Sequence, residues 1–316
     1  MDQVREVLRY HHYAYRTEQT YCQWILRYIR FFGGKIHPRD LSSHHIERFL
    51  SDLAVKCKVA ASTQRQALNA LVLLYRDVLD IPLDKKIQPI RSKKKPKLPT
   101  VLGKIEIKKF FQYIEGTHAL MAKLLYGSGL RLMECVRLRI KDVDFDRKRI
   151  QILGKGGEWR STILARPIIP ELKRHIERVK ALHHLDLAGG FGEVYIPGAL
   201  AGKYKKAAME TRWQYIFPSK KRSADPRSGA VRRHHVLESG LQKAVKRATH
   251  KAGIDKWVTC HTLRHSFATT MLENGINIRM LQELMGHANV KTTERYTHVM
   301  DKDISRLISP LEGLDL

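Results

Sequence analysis

The sequence predicts a mainly α-helical protein with a small antiparallel β-sheet (α+β), built from a helical N-terminal bundle and a larger C-terminal domain. Three observations support this fold class. Apolar residues recur every three or four positions through most of the first 80 residues, which is the period of helices buried on one side. A proline-rich basic segment follows them. Farther along, two short β-branched runs flank a glycine-rich turn, the pattern of a β-hairpin.

The N-terminal bundle, residues 1–81, is predicted to contain four helices. A short helix is expected near residues 3–12, and longer ones at "RTEQTYCQWILRYIRFF", "DLSSHHIERFLSDLAV" and "ASTQRQALNALVLLYRDVL". Ser62 or Thr63 is expected to cap the last of these helices. The apolar stripe of the second helix consists of Tyr21, Trp24, Ile25, Tyr28 and Ile29.

The charge of the chain indicates a polyanionic partner. Lys and Arg total 58 against 31 Asp and Glu, which gives a formal net charge of +27. Such a field repels itself within the folded protein, and nucleic acid is the polyanion that most often accounts for it. A membrane surface and a merely solubilising charge are the alternatives that composition leaves open.

Residues 82–97 are predicted to be a basic linker between two folded domains. In "PLDKKIQPIRSKKKPKLP" four prolines prevent a regular helix, and seven Lys or Arg stand against one Asp. The run "KKKPK" is also typical of a nuclear-localisation signal. Its position between foldable segments favours a strap that follows nucleic-acid phosphates, with Lys93, Lys94 and Lys95 as contacts.

Composition argues against membrane insertion, secretion and a disulfide framework. No apolar run approaches the roughly 20 residues of a membrane-spanning helix, and the N-terminus lacks the apolar core of a secretory signal. The four cysteines lie far apart without a C-x-x-C pair, so they are expected to be reduced core residues. We expect no membrane partner and a cytoplasmic, bacterial, nucleoid-associated protein.

The C-terminal domain begins with a helical pattern and changes period at the predicted hairpin. "IEIKKFFQYIEGTHALMAKLLYGSGLRLMECVRLRIKDVD" predicts helix, helix, turn and helix. "RIQIL" and "WRSTIL" then flank "GKGGE", whose tip carries Lys155. The glycines do not form a phosphate-binding loop, because G-x-x-x-x-G-K-[ST] is absent and the turn joins two strands. By itself, Lys155 could be an exposed turn lysine.

The stretch "HTLRH" invites a metal interpretation that its neighbours do not support. His261 and His265 have the i, i+4 spacing of helical zinc ligands, but Thr262 stands where a metalloprotease carries its Glu. Arg264 lies three residues after His261, so a guanidinium and an imidazole can address one small target. A phosphodiester fits this pair, since Arg binds phosphate oxygens and His moves protons near neutral pH. We expect no metal and no cofactor.

Four motifs in order resemble those of the tyrosine recombinases, also called the phage-integrase family. They are "YGSGLRLMECVRL", "LGKGGEWR", "CHTLRHSFATTMLENG" and "LQELMGHANVKTTERYTHV". The resemblance covers residues 98–303 as a catalytic domain and gives residues 1–81 as a SAM-like core-binding domain. It implies that the two domains form a C-shaped clamp on DNA.

The resemblance also implies a role for each reactive side chain. Tyr296 would attack a DNA phosphate and leave a 3′-phosphotyrosyl enzyme and a free 5′ hydroxyl. A tyrosine hydroxyl in water is ionised in only about one molecule in a thousand at pH 7, so it needs a prepared electrophile. The residues expected to prepare it are Arg131 and Arg264 as phosphate clamps, His261 as base or oxygen-contacting donor, His287 as a second donor, and Lys155 as general acid. Glu134, one helical turn after Arg131, either orients an arginine or forms a surface ion pair.

A narrower resemblance to integron integrases lies in residues 187–219. In those relatives a proline usually follows the Lys-Tyr pair and an apolar residue precedes the nucleophile, whereas this chain has Lys205 and Arg295. The resemblance implies integration or excision of gene cassettes by a homo-tetramer on synapsed DNA, including folded single-stranded sites with extrahelical bases. The alternative is another tyrosine recombinase, of the phage-integrase or chromosome-resolution type, that acts only on duplex sites.

Charges and flat rings alternate in and after this insertion, which suits unpaired bases. The rings are Tyr204, Trp213, Tyr215 and Phe217. The alternative is that Trp213 and Phe217 pack the insertion onto the domain. The expected DNA contacts are Lys203, Lys205, Trp213, Arg232, Arg233, His234 and His235.

Two expectations concern the C-terminal end. The polar flank Thr293, Glu294 and Arg295 predicts that the segment bearing Tyr296 is exposed enough to reach DNA. Residues 304–316 carry an apolar stripe too short to fold alone, and the family resemblance implies that this segment docks on a neighbouring protomer.

Overall fold

A computed structural model describes residues 1–83, 87–92, 98–154, 157–196, 206–294 and 296–297. The chain divides into two compact units, Met1–Lys97 and Leu98–Leu316. Each has a hydrophobic core of its own. The units are helical apart from two small antiparallel sheets in the second, which confirms the predicted fold class.

The first unit is a bundle of four α-helices whose amphipathic faces meet in one core. They are α1 (Asp2–Tyr10), α2 (Tyr15–Phe31), α3 (Ser43–Val55) and α4 (Ala61–Leu73), and a π-helical turn (Leu74–Val78) follows α4. Tyr28 and Tyr75 are buried in this core with their hydroxyls 3.0 Å apart. The Tyr75 hydroxyl also lies 2.9 Å from the Pro38 carbonyl and 3.1 Å from that of Leu41, so the buried polar atoms satisfy one another.

One local prediction for the first unit is wrong, and the predicted linker makes contacts that were not expected. Helix α4 starts after Ala60, with no side-chain cap, and Ser62 and Thr63 lie inside the helix. The described part of the expected linker is bound to the bundle: Ser92 donates to the Val59 carbonyl at 2.6 Å, and Gln64 donates to the Ile90 carbonyl at 2.7 Å. Backbone groups of residues 87–92 thus find partners on the bundle, which composition alone did not reveal.

The second unit surrounds a large helical core. Its helices are α5 (Lys104–Gln112), α6 (Gly116–Ser128), α7 (Leu132–Val136), α8 (Ile169–Ala188), α9 (Glu238–Lys251), α10 (Cys260–Glu273), α11 (Ile278–Met285) and α12 (Lys291–Glu294). Its strands are β1 (Val143–Asp144), β2 (Arg149–Leu153), β3 (Trp159–Ile163), β4 (Ser223–Ala224) and β5 (Val231–Arg232). Helix α6 packs against α10 at the centre of the unit.

The predicted hairpin is the β2–β3 pair, and its register decides which side chains face inward. Ile152 lies opposite Arg160, and Ile150 lies opposite Thr162. Because side chains alternate along a strand, these four share the inner face. Arg160 is therefore carried to the interior although it is charged, and it is only 9% exposed.

Two glycines end helices in the left-handed conformation and orient carbonyl groups towards the site described below. Gly129 (φ 62°) ends α6, and a Cβ there would lie 2.5 Å from the Phe267 ring. Gly286 (φ 60°) ends α11, and a Cβ there would lie 2.6 Å from Arg160 Cδ. Glycine is required at both positions for backbone angle and for space.

The insertion predicted at residues 187–219 begins within the last turn of α8, and its described part folds onto the domain. Buried Arg139 donates to the carbonyls of Trp213 at 2.6 Å and Tyr195 at 2.7 Å. Tyr215 and Phe217 are 5% and 0% exposed, so the prediction that these rings face unpaired bases is wrong for both of them. Both rings instead pack the insertion against the rest of the domain.

Within the described ranges, no helix is both long and apolar enough to span a bilayer.

Candidate active site

Three arginines converge on the C-terminal end of α11. Arg160 donates to the carbonyl of Leu284 at 3.0 Å, Arg264 to that of Met285 at 2.5 Å, and Arg131 to that of Gly286 at 2.7 Å. The last carbonyls of a helix lack intrahelical partners and lie at the negative end of its dipole. One helix end thus fixes three guanidinium groups from three different elements.

Glu134 supplies the counter-charge for this cluster. Its carboxylate accepts two hydrogen bonds from Arg160, both at 2.7 Å, and one from Arg131 Nη1 at 2.8 Å. Burial acts to raise the pKa of Glu134, but the hydrogen bonds and charge of Arg160, followed by the bonds from Arg131, outweigh it and lower the pKa to about 2. With its side chain only 11% exposed, Glu134 is a buried orienting group and not a surface ion pair.

The two predicted phosphate clamps differ in access. Arg264 is 3% exposed, and it also donates to the Gly129 carbonyl. Burial, followed by the charge of Arg131, lowers the pKa of Arg264 to about 9, although Glu134 opposes this effect. Arg264 therefore keeps its charge at neutral pH, although burying that charge costs free energy. A bound anion would offset this cost, which suits a site that receives a phosphate. Arg131 is 37% exposed and is the more accessible of the two.

His287 connects the arginine cluster to the predicted nucleophile. Its Nε2 lies 3.3 Å from Arg264 Nη2 and its Nδ1 lies 2.9 Å from the Thr293 hydroxyl. Arginine can only donate, so Nε2 is the acceptor and the ring proton sits on Nδ1, directed at Thr293. The imidazole also stacks on the ring of Tyr296, with centroids 6.2 Å apart.

Tyr296 lies at this site, but it is buried. Both Tyr296 and Thr293 are 0% exposed, so the prediction that they lie on an exposed segment is wrong. The polar residue Thr293 is satisfied internally by His287, and the Tyr296 ring joins an apolar cluster with Phe267, Leu281 and Met285. Of the predicted flank, Glu294 is exposed and Arg295 lies outside the described residues.

The Tyr296 hydroxyl contacts a histidine that sequence reasoning did not select. Nδ1 of His265 lies 2.9 Å from the hydroxyl oxygen, and the two ring centroids are 5.5 Å apart. His261, the predicted base, is exposed one helical turn earlier on α10, with its ring 6.4 Å from that of His265. The sequence analysis treated His265 only as a possible metal ligand.

Arg160 is a second residue that sequence reasoning missed. Arg160 makes two hydrogen bonds to Glu134, yet its strand was predicted only from the alternation of its residues. The same alternation places Arg160 on the inner face of the hairpin with Ile150 and Ile152, and a charged residue on an inner face indicates a buried partner.

The expected DNA contacts fall into three groups. Lys93, Lys94, Lys95, Lys155, Lys203 and Lys205 lie outside the described residues, as do Tyr204 and residues 304–316. Arg233 forks onto Asp186, with Nη2 2.7 Å from Oδ1, and donates to the carbonyls of Ser219 and Lys220. These contacts give Arg233 a structural role in joining α8 to the chain after the insertion.

The third group lies beside the insertion. Trp213 is partly buried, and its ring carries Lys141 Nζ at 4.5 Å from the centroid. His235 is partly buried, edge-on to Tyr215 at 5.3 Å. Burial lowers the pKa of His235, partly offset by the bond it donates to the Val236 carbonyl. Among described residues, His234 Nε2 and Arg232 Nε are buried without a hydrogen-bond partner.

Helix α9 presents a basic face that the sequence analysis did not identify. Its apolar residues Leu241, Val245 and Ala248 are buried in the core. The opposite face exposes Lys243, Lys246, Arg247, His250 and Lys251. A helix with one such face has the charge of a phosphate-contacting element.

Among the described residues, no group of three or more His, Cys, Asp and Glu side chains is placed to hold a metal ion. The acidic group at the site, Glu134, is already engaged by arginines.

Comparison with known proteins gives consistent matches. Residues 100–303 match the family described as "Phage integrase family", and residues 1–85 match "Phage integrase, N-terminal SAM-like domain". An "Integrase/recombinase" from Escherichia coli is 44% identical over 99% of this chain and 93% of its own length. A "Tyrosine recombinase XerA" from Thermococcus kodakarensis is 29% identical over 90% of this chain and 84% of its own. The fold is similar to that of a lambda integrase dimer bound to a COC′ core site, with a TM-score of 0.59, 16% identity, and coverage of 98% and 96% of the two chains.

Fold and sequence together define a tyrosine recombinase, an enzyme that cuts and rejoins DNA strands. The chain belongs to the phage integrase family, and it also matches that family's N-terminal SAM-like domain.

Proposed function

We propose that this tyrosine recombinase is an integron integrase, which integrates or excises gene cassettes at attachment sites. The proposal includes sites formed by folded single-stranded DNA with extrahelical bases, and a homo-tetramer on synapsed DNA. One observation supports the catalytic part of the proposal. Four of the predicted catalytic side chains lie together next to Glu134, namely Arg131, Arg264, His287 and Tyr296.

The arginine cluster acts as a preformed phosphate clamp. Arg131 and Arg264 stabilise the charge that develops on the non-bridging oxygens during attack. Because α11 and Glu134 already fix the guanidinium groups, little reorganisation is needed when the phosphate arrives. In other nucleases a divalent metal performs this stabilisation.

Strand transfer then needs one bond formed and one broken at phosphorus. The Tyr296 oxygen attacks, the 5′ oxygen leaves, and the products are a 3′-phosphotyrosyl enzyme and a 5′-hydroxyl strand. His261 donates to the phosphate, and His287 does so once its Nε2 is released from Arg264 and gains a proton. Lys155, outside the described residues, protonates the leaving oxygen. A second DNA hydroxyl reverses the step without ATP. Since Tyr296 is fully buried, the groups that cover it must open a path for the phosphate when DNA binds.

Recognition of extrahelical bases is assigned to the surface beside the insertion. Trp213 and His235 are partly buried rings, and they contact Lys141 and Tyr215 respectively. An aromatic ring held in place contributes about 1–3 kcal/mol per stacked base. The basic face of α9 and the lysines of the linker are proposed to follow the phosphates.

The catalytic proposal is tested by trapping the covalent intermediate. A duplex library with a randomised core next to a nick is incubated with the protein in EDTA, denatured in detergent, and resolved by electrophoresis. The short strand beyond the nick diffuses away, so the adduct accumulates and its DNA can be sequenced to define the site. An adduct that is absent in Tyr296→Phe supports the proposal. Free fragments that require a divalent metal would indicate a nuclease, and reversible binding alone would indicate a regulator.

Recognition of folded sites is tested with an imperfect hairpin and its bulge-free duplex of the selected sequence. Trp213→Ala and His235→Ala are expected to weaken binding to the hairpin by about tenfold and to leave duplex binding unchanged. Trp257→Ala is the control, because that ring is 79% exposed and lies outside the insertion. An equal loss on both DNAs would favour a recombinase that acts only on duplex sites.

The tetramer is tested by deleting residues 304–316. The deletion is expected to abolish assembly on paired sites in native gels while leaving the melting of the free protein unchanged. A melted monomer would contradict docking on a neighbour, because the segment would then belong to its own core.

A further inference from the structure

The hydroxyl of the predicted nucleophile contacts a histidine that lies within the third motif but to which the resemblance assigns no role. His265 Nδ1 lies 2.9 Å from the Tyr296 hydroxyl, whereas His261 is exposed a helical turn away. His287, the other histidine beside the ring, is turned with both nitrogens to Arg264 and Thr293.

The surroundings of His265 suit proton transfer. It is half-buried on α10 immediately after Arg264, so the element that fixes the clamp also fixes the imidazole. The titratable and charged groups shown beside the Tyr296–His265 pair include His261, Arg264 and His287.

We propose that His265 is the general base that removes the proton from Tyr296. This inference deepens the proposed function and rests on it. The O–H bond of Tyr296 breaks, its proton passes to Nδ1 of His265, and the freed electron pair forms the bond from the Tyr296 oxygen to phosphorus. The P–O5′ bond breaks, and the 5′ oxygen takes its electron pair and a proton from the general acid. In religation His265 returns the proton to the tyrosine oxygen.

The assignment requires one tautomer. Nδ1 of His265 accepts the hydroxyl hydrogen, so the neutral ring carries its proton on Nε2. It also separates the roles of two histidines that are four residues apart: His265 serves the nucleophile, and His261 is left to address the phosphate.

Two substitutions distinguish a base from a positioning contact. His265→Asn keeps an acceptor near the place of Nδ1 but cannot take a proton at neutral pH, and His265→Ala removes the contact. Both are expected to slow single-turnover cleavage of the nicked duplex by about a hundredfold or more, with DNA affinity unchanged. His184→Ala, which removes an exposed imidazole from α8, is the matched control.

Chemical rescue shows which of the two proton transfers, from the tyrosine or to the leaving oxygen, is lost in a variant. A fluorinated tyrosine that is already ionised at neutral pH, incorporated at position 296, should restore cleavage to His265→Asn at least tenfold. A substrate with sulfur in place of the bridging 5′ oxygen needs no general acid, so it should rescue Lys155→Ala and leave His265→Asn slow.

Three outcomes would overturn the assignment. Full activity of His265→Asn would show a positioning contact only. Faster cleavage by either variant would show that His265 restrains the tyrosine. Rescue of His265→Asn by the sulfur substrate would place the defect at the leaving group. If the unsubstituted chain formed no adduct, the proposed function itself would fail, which is a separate result.

Discussion

Replacing Glu134 with glutamine is expected to destabilise the second unit by roughly 3 kcal/mol at neutral pH. The substitution preserves size and some hydrogen bonding but removes the charge that faces Arg131, Arg160 and Arg264. These guanidinium groups would then repel one another in a partly buried site.

The magnitude follows from the pKa of the carboxyl group. Each tenfold change in proton affinity corresponds to about 1.4 kcal/mol. Lowering the pKa of Glu134 from its ordinary 4.5 to about 2 therefore corresponds to roughly 3 kcal/mol of stability. Because the folded-state pKa is depressed, this stabilisation is complete above about pH 4.5 and is lost as the pH falls towards 2.

Urea unfolding followed by tryptophan fluorescence measures the effect. Trp24→Phe is used as the parent, since the remaining tryptophans, Trp159, Trp213 and Trp257, all lie in the second unit. Glu177→Gln is the control, because Glu177 is 68% exposed and pairs with Lys180 at the surface, a contact worth about 0.5 kcal/mol or less.

The pH series provides an independent check of the same explanation. Between pH 5 and pH 3 the parent should lose more stability than Glu134→Gln, which has no carboxyl to protonate at this position. A loss below about 1 kcal/mol at pH 7, or parallel pH curves for the two proteins, would refute the role assigned to Glu134.

Two further predictions concern backbone and core. Gly286→Ala should destabilise the second unit by about 1–3 kcal/mol and slow adduct formation, since φ is +60° and the new Cβ would lie 2.6 Å from Arg160 Cδ. Gly275→Ala has the same kind of φ with nothing within 4 Å, so an equal effect of both in urea unfolding and cleavage would contradict the clash. Tyr75→Phe should destabilise the first unit by about 1–3 kcal/mol, because it leaves the Tyr28 hydroxyl and two carbonyls with fewer partners. Tyr10→Phe, at an 82% exposed ring, is the control, and no difference between the two variants in Trp24 fluorescence would count against the network.

Much of the fold could be predicted because its signals are periodic. Apolar spacing predicted the helices of the first unit and α5 to α7 of the second, and the change of period predicted the β2–β3 hairpin. The short strands β4 and β5 were missed, since two-residue strands carry no period. The contacts between linker residues 87–92 and the bundle were not predicted. They are hydrogen bonds of the polar side chains Gln64 and Ser92, and single polar residues form no recognisable sequence pattern.

The site could be predicted from motifs only up to the identity of its main residues. Arg131, Glu134 and Arg264 come together as the motifs suggest. The way the arginines are held depends on three backbone carbonyls at the end of α11, and no sequence motif indicates those carbonyls. The exposure of Tyr296 was predicted wrongly because polar neighbours were equated with solvent contact. Thr293 instead meets His287 inside the protein.

DNA cleavage by this site requires that Tyr296 become covalently bound to DNA. The adduct formed on the selected nicked duplex in EDTA can be digested with nuclease and trypsin and its peptides sequenced by mass spectrometry. We expect a nucleotide attached to the peptide that begins with Tyr296, and no such mass from Tyr296→Phe. A nucleotide on any other tyrosine, or cleavage that persists in Tyr296→Phe, would contradict it.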